Sequence, residues 1–275
     1  MDVNQRGYER NRQKAWFYSL FLNSTRMKKI IYDFGSNNGD DIPYYLLKSD
    51  LVVAVEANPV LCKVIREKFK ENLADGSLVV ENCILNVEKP QEQVPFYIHK
   101  TNHVLSQLPK PANLELFEQV FLPSKNVIKL LEEYGSPYYI KIDLENYDQV
   151  ILEELFLNNI MPPYISSESH SINVFATLVS LGKYNAFKLV DGESVSKRYR
   201  NYAINTIKGE LKYSFPHHSA GPFGNDVSGP WITADNFFQV LAFAGLGWKD
   251  IHATNIENPD IQYAPKPQIK IVLNY

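Results

Sequence analysis

Cysteine is nearly absent: Cys62 and Cys83 are the only two in 275 residues. That is too few for a disulfide framework or a cysteine zinc site. The chain also lacks an excess of either charge. Its 28 basic side chains face 31 acidic ones, a net charge of −3 with a pI near 6.1, so no global field draws in nucleic acid or an anionic membrane. Long apolar runs are missing as well. The longest early run, Ala15 to Leu22, falls far short of the roughly 20 residues of a membrane span. No small-residue cleavage site follows it, as one would behind a secretory signal. No internal repeat occurs. These absences point to a cytoplasmic protein with neither nucleic acid nor membrane as partner.

What the chain does have is aromatic side chains, 17 Tyr and 15 Phe. Most are expected to pack a core, and some could line a groove for a sugar ring, which stacks on flat apolar faces. A composition that is 45% hydrophobic and 21% charged is ordinary for a soluble globular protein. The length suits one large domain, or one with an elaborated end.

Residues 1–26 read as an appendage, polar and basic at first and then Trp16-Phe17-Tyr18-Ser19-Leu20-Phe21-Leu22. So much apolar surface suits a helix packed on the body or on a second subunit. With the last strand it marks a possible homodimer interface. Residues 27–275 read as a single domain. Strands are expected at Ile30–Asp33, Leu51–Glu56, Ser77–Leu85, Tyr138–Asp143, Pro163–His170 and Ala186–Val190, with Val94–His99 as an addition. Helices are expected at Asp40–Lys48, from Asn58-Pro59 to the Asp75-Gly76 stop, and at Asn126–Tyr134, Tyr147–Asn158 and Ile172–Leu181. This alternation, with near-continuous apolar strands, predicts an α/β fold with a parallel sheet covered on both faces. Beyond Asp191 a further strand is expected within Tyr202–Tyr213, a helix at Thr233–Leu246 and a last strand at Gln268–Leu273. Phe215–Trp231, rich in His, Gly, Pro and Ser, has no period and reads as a lid or substrate wall inside a 214–267 insertion.

The most telling stretch is Ile30-Ile31-Tyr32-Asp33-Phe34-Gly35-Ser36-Asn37-Asn38-Gly39. A buried strand ends in an acid and a glycine-spaced turn, and about twenty residues on a second strand ends in Glu56. Such a unit holds a nucleoside by turn amides and by an acid on the ribose hydroxyls. A dinucleotide loop needs a middle glycine to touch a pyrophosphate, and that place is Asn37. The turn therefore suits S-adenosylmethionine, which has no phosphate. Ligands of open α/β sheets bind outside the carboxyl ends of the strands. Here those ends carry Asp33, Glu56-Ala57-Asn58, Asn82-Cys83-Ile84, Asp143 with Glu145, and Glu168-Ser169-His170.

Asp33-Phe34-Gly35-Ser36-Asn37-Asn38-Gly39, Val55-Glu56-Ala57-Asn58-Pro59 and Ile140-Lys141-Ile142-Asp143-Leu144-Glu145 together resemble the FkbM family of S-adenosylmethionine-dependent methyltransferases, over roughly Lys28 to Val190. Ser219-Ala220-Gly221-Pro222-Phe223-Gly224, Gly229-Pro230-Trp231 and Asp250-Ile251-His252-Ala253 resemble a subset of it found in surface-glycan gene sets. A departure is Asn146, where the family usually has glycine. The resemblance implies a Rossmann-like class I methyltransferase fold, with a mostly parallel seven-stranded sheet, helices on both faces and a loop-rich C-terminal elaboration. It also implies O-methylation of a hydroxyl on a sugar, nucleotide-linked or a surface-glycan intermediate.

In that reading Asp33, Gly35, Ser36, Asn37 and Gly39 hold the methionine and ribose side. Glu56 with Ala57 takes the ribose diol, Asn82 and Cys83 the adenine edge, and Asp143 lies near the methyl group. His170 is the expected general base, because an imidazole's pKa suits removing a proton near neutrality. Asp143, Glu168 and His170 form a candidate ligand set for Mg²⁺ or Mn²⁺, which would acidify the hydroxyl as a Lewis acid. His217, His218, Ser219, Trp231 and His252 are expected on the acceptor side. Two alternatives stand beside this. One is methylation of RNA or another small molecule, for which Lys197-Arg198-Tyr199-Arg200 is the sole basic cluster. The other is an inactive domain that binds the adenosyl ligand and scaffolds partners.

Overall fold

The computed structural model describes residues 28–256. The expected segments 1–26, 258–267 and 268–273 lie outside them. In chain order the elements are β1 (Ile30–Phe34), α1 (Ile42–Lys48), β2 (Leu51–Val55), α2 (Pro59–Lys68), α3 (Lys70–Asp75), β3 (Leu78–Glu81), β4 (Ile84–Asn86), β5 (Val94–His99), β6 (Phe117–Leu122) and β7 (Ser124–Asn126). There follow α4 (Val127–Tyr134), β8 (Tyr139–Ile142), α5 (Asp148–Leu157), β9 (Tyr164–Ser169), α6 (Ile172–Ser180), β10 (Ala186–Asp191), α7 (Val195–Arg198), β11 (Tyr202–Thr206), β12 (Gly209–Tyr213), β13 (Ile232–Thr233), α8 (Ala234–Ala244) and β14 (Gly247–Thr254). Local chemistry sets several ends. Asn58 caps α2 by accepting from Val60 N ahead of Pro59, Asn126 caps α4, and Gly76 closes α3 in the left-handed conformation.

The main sheet runs β13-β10-β14-β9-β8-β1-β2-β3. β3, β2, β1, β8 and β9 are mutually parallel, and β14 lies antiparallel between β9 and β10. The fold is α/β and Rossmann-like, a mostly parallel sheet with a single long reversed strand. The chain leaves β1 towards β2 and β3, then returns to the other side of β1 at β8. That reversal opens a crevice at the carboxyl ends of β1 and β8, where ligands of such sheets bind.

Alternation along the strands separates two cores. Tyr32, Phe34, Val53, Val55, Ile140 and Ile142 face a layer built from α4, α5, α6 and α8. Ile31, Val52, Ala54, Tyr139 and Tyr164 face α1, part of α2 and the irregular 215–231 segment. That segment was expected as a lid or substrate wall; His218 does reach a cavity, but the aromatic anchors are core. Phe223 stacks flat on Tyr139, with ring centroids 4.0 Å apart, and Trp231 stacks on Tyr164. Buried Phe215, Phe223, Val227 and Trp231 do there what a helix does on the other face.

Other differences have local causes. The single strand expected over 77–85 breaks at Asn82-Cys83, so that β4 leaves the sheet and pairs with β7. β5 pairs antiparallel with β6, a strand the sequence reading did not propose. The 202–213 stretch is a hairpin, β11–β12. The reversed strand of the sheet is β14, read from the sequence only as a motif. No helix among the described residues is long and apolar enough to cross a membrane.

Candidate active site

Two strand ends are sewn together first. Gly35 N and Ser36 N both donate to Val55 O, at 3.0 and 3.1 Å. Gly35 has φ +83°, and a Cβ there would stand 1.9 Å from the carbonyl oxygen of Asp143. The turn after β1 can therefore press against the end of β8 only because residue 35 has no side chain. Asn37 continues the turn in the left-handed region, φ 48°, which asparagine tolerates better than most residues. Its N–H donates to Glu56 Oε2 at 2.8 Å, and Asn58 N donates to Oε1 at 2.7 Å. Burial pushes the Glu56 carboxyl up to about 7, with the two amides working the other way. Asn82 locks this strand end by donating to the carbonyls of Glu56 and Ala57.

Beside the turn opens a cavity of about 480 Å³. Gly35, Asn37, Glu56 and Ala57 form one wall, and Val55, Leu61, Cys83, Ile84 and Leu85 a second, apolar one. Phe96, Asn102, His103, Leu105, Ser106 and Leu108 close it from the β5–β6 side. The floor is polar: Asp143, Glu145, Glu168 and His170, with His218 and Trp248 at the edge. A much smaller polar chamber adjoins it and shares Asn37, Asp143, Glu168, His218 and Trp248.

Lys141 organises the end of β8. Its buried Nζ lies 3.2 Å from Asp143 Oδ2 and 3.6 Å from Asp33 Oδ1, and donates to Gly35 O at 2.9 Å. Burial works against the ammonium, but Asp143, Asp33, Asp41 and Asp250 outweigh it and hold its pKa well above the usual lysine range. Asp33 is fully buried and held above the ordinary carboxylate range by burial, which the Lys141 charge offsets only in part.

Carboxylates crowd around a single imidazole. His170 Nε2 is 2.9 Å from Glu168 Oε2 and 3.7 Å from Glu145 Oε2. The shorter contact is an ion pair, not a well-aligned hydrogen bond. Glu168 pushes His170 up to about 9. Burial, then Asp143 and Glu168, push Glu145 up to about 8, and burial with Asp143 lifts Asp148 to about 7. Glu145 and Asn146 have φ 48° and 76°. Asparagine at 146 takes the left-handed region that it tolerates better than most residues. Ligand atoms of Asp143, Glu145, Glu168 and His170 all lie within 4.8 Å of one another. An Mg²⁺ ion with ligands at about 2.1 Å spreads opposed donors by about 4.2 Å, so a slight contraction would close this set on one.

Of the expected residues, Gly35, Asn37, Glu56, Ala57, Cys83, Asp143, Glu168, His170 and His218 line the cavity. Ser36 faces the smaller chamber. Asp33, Gly39 and Asn82 stand behind the wall and shape it. Four acceptor-side expectations lie elsewhere. Ser219 is buried and donates its hydroxyl to Asp41. Trp231 is core, its Nε1 donating to Asn225. His252 sits inside the sheet between Lys188 and Ser166, with burial driving its pKa down to about 3. His217 lines neither space and meets Trp248 edge-on at 5.8 Å. The sequence reading named Glu145 at a strand end without giving it a role, and missed Lys141, Asn102, His103 and Trp248. Only Lys141 and Glu145, inside a quoted motif, carried a signal.

No protein-family model matches the chain, and no curated protein matches it. Among solved structures it is similar to a methyltransferase FkbM from Methylobacillus flagellatus KT (11% identity, TM-score 0.41, covering 60% of this chain and 40% of that one). It is also similar to a precorrin-6y C5,15-methyltransferase from Geobacter metallireducens (10%, 0.36, 62% and 72%) and to the methyltransferase domain of bacterial-CtHen1-CN (10%, 0.34, 89% and 98%). This chain thus spans less than half of the FkbM structure.

Proposed function

We propose that the protein is an S-adenosylmethionine-dependent O-methyltransferase acting on a hydroxyl of a sugar, either nucleotide-linked or within a surface-glycan intermediate. The observation that carries this is the sharing of one cavity by Glu56 and the Glu145–Glu168–His170 group. The residues present fit the cofactor. Glu56 keeps lone pairs for a ribose diol after accepting its two amides, Leu61, Ile84 and Leu85 suit an adenine, and Gly35 lets the turn close on the end of β8 beside the cavity. The same wall speaks against a dinucleotide. Asn37 holds the place of the middle glycine, and neither lysine nor arginine lines the cavity among the described residues.

Bound there, the cofactor supplies a methyl group on a sulfonium centre. The protein's task is to align an acceptor hydroxyl and take its proton. Glu168 pushes His170 up to about 9, which favours the imidazolium near neutrality, and we therefore assign the base to the Glu168–His170 pair. Glu168, 2.9 Å from the imidazole and raised by burial above the ordinary glutamate range, is the member of the pair open to the hydroxyl proton. His170 keeps it ionised and in place.

The four clustered donors offer a second device, an Mg²⁺ or Mn²⁺ ion polarising the hydroxyl. Its expected mark is a rate lowered by EDTA and restored by Mn²⁺; indifference to both leaves the Glu168–His170 pair alone. The whole reading is tested by thermal unfolding with S-adenosylmethionine, S-adenosylhomocysteine and NAD, followed by methyl transfer to a saccharide panel. Stabilisation by NAD and by neither adenosyl ligand would overturn it.

A further inference from the structure

Among the cavity residues that the adenosyl and acid–histidine assignments leave without a role is Trp248. Its position is built with some care. Along β14 the pairing with β9 moves from Gly247 opposite Ser169 directly to Asp250 opposite Glu168, so Trp248 and Lys249 form a bulge. Bulges turn a side chain away from the regular pleat, and they recur beside active sites. Gly247 starts it at φ +119°, and Ser169 Oγ anchors its carbonyl at 3.1 Å. Gly192 provides the seat, since a Cβ there would come within 2.4 Å of the indole. His218 stacks on the ring at 24° and His217 meets it edge-on. The indole nevertheless stays 37% exposed and forms part of the cavity edge.

A rigid, half-open aromatic face that shares a cavity with Asp143, Glu145 and Glu168 has a definite chemistry. The apolar C–H face of a sugar ring stacks on an indole, while hydroxyls donate to carboxylates, which only accept. Phosphate fits badly. The cavity holds four carboxylates, Glu56, Asp143, Glu145 and Glu168, and, among the described residues, no lysine or arginine to receive a diphosphate; Lys141 in the adjoining chamber is already engaged by Asp143 and Asp33. We infer that Trp248 is the platform for the acceptor's pyranose ring, and that the ring enters as an uncharged glycoside and not as a sugar nucleotide. This rests on the methyltransferase reading above and narrows its acceptor to the glycan branch.

The test uses the full chain, ¹⁵N-labelled at tryptophan and loaded with S-adenosylhomocysteine. Its three indole N–H signals are from Trp16, Trp231 and Trp248, and W248F identifies the one from residue 248. Methyl glycosides of glucose, galactose and mannose are titrated in EDTA and again in MgCl₂, beside UDP-glucose, UDP-galactose and GDP-mannose. At least one glycoside is expected to move the Trp248 signal and leave that of Trp231 still. W248A should weaken this glycoside about tenfold or more by saturation transfer, W248F much less, with S-adenosylhomocysteine affinity unchanged in both. Should W248A fail to bind S-adenosylhomocysteine, the wild-type Trp248 shift decides alone. If S-adenosylhomocysteine binds and no glycoside moves Trp248, or if a sugar nucleotide binds more tightly than its glycoside, the inference falls and the methyltransferase reading stands. Failure of S-adenosylhomocysteine to bind at all removes both.

Discussion

Replacing Glu56 by glutamine separates ligand binding from folding in a way the geometry makes quantitative. Each carboxylate oxygen takes one main-chain amide, from Asn37 at 2.8 Å and from Asn58 at 2.7 Å. Glutamine has a single acceptor oxygen, so its NH₂ must face one of those N–H groups. A buried donor left facing a donor costs roughly 1–3 kcal/mol. Against this stands the charge. Glu56 titrates near 7 when folded, against 4.5 ordinarily. The folded chain therefore holds that proton more tightly than the unfolded one. The contribution to stability is full below about 4.5 and is lost as pH rises through about 7, reaching about 3 kcal/mol. At pH 8 the two effects nearly cancel, and E56Q should unfold within a few degrees of wild type. Ligand affinity has no such compensation. Loss of one hydrogen bond from a ribose hydroxyl to a charged acceptor, about 1.5–3 kcal/mol, weakens S-adenosylhomocysteine by roughly 10- to 150-fold. Calorimetric titration at pH 8 reads the affinity and scanning calorimetry without ligand reads the folding. In wild type the unliganded Tm should fall between pH 5.5 and 8, since Asp41, Asp148 and Glu145 are displaced in the same direction. E56Q should show a shallower fall. An E56Q protein that binds S-adenosylhomocysteine within about twofold of wild type would refute the ribose assignment.

Three further perturbations probe other parts of the site. Gly35→Ala adds about 1–2 kcal/mol of left-handed strain to a 1.9 Å approach to Asp143 O, so thermal unfolding should occur about 10 °C lower; an unchanged Tm would place the turn elsewhere. H170A and E168Q should each lower kcat by roughly 100-fold or more with S-adenosylhomocysteine affinity held, and a full-rate E168Q would break the proposed pair. F223A removes a ring stacked on Tyr139 and should destabilise by about 3–5 kcal/mol while leaving KM for the acceptor unchanged. A raised KM with normal stability would make the 215–231 segment a substrate wall after all.

Much of the sheet was legible because parallel strands buried on both faces are written as unbroken apolar runs. Leu51-Val52-Val53-Ala54-Val55 is fully buried, and a charged residue ending such a run is conspicuous. Glu56, Asp143 and Glu168 were found in that way, and the fold brings them to one cavity. Periodicity had nothing to say about 215–231. Its aromatic anchors fall at irregular intervals between glycines and prolines, and a packed irregular segment has the same texture as an exposed one. β14 was hidden for a different reason. It lies inside the sheet yet carries Asp250 and His252, both buried, because it borders the polar floor, and those side chains disguise a core strand as a loop motif.

The deepest gap lies in direction, which composition cannot encode. Trp248 faces the cavity because two residues bulge and Gly192 lacks a side chain, 56 positions away in sequence. Glu145 reaches His170 because it and Asn146 both adopt positive φ. In one case the decisive residue is a glycine in another element. In the other it is an asparagine standing where glycine is usual, which from sequence alone reads as a defect in the motif. Both are backbone devices, and each aims a side chain whose direction no sequence pattern gives. The residues that bind by position at a strand end were therefore readable, whereas those that act through a strained or bulged backbone emerge only from the φ angles and pairing register of the folded chain.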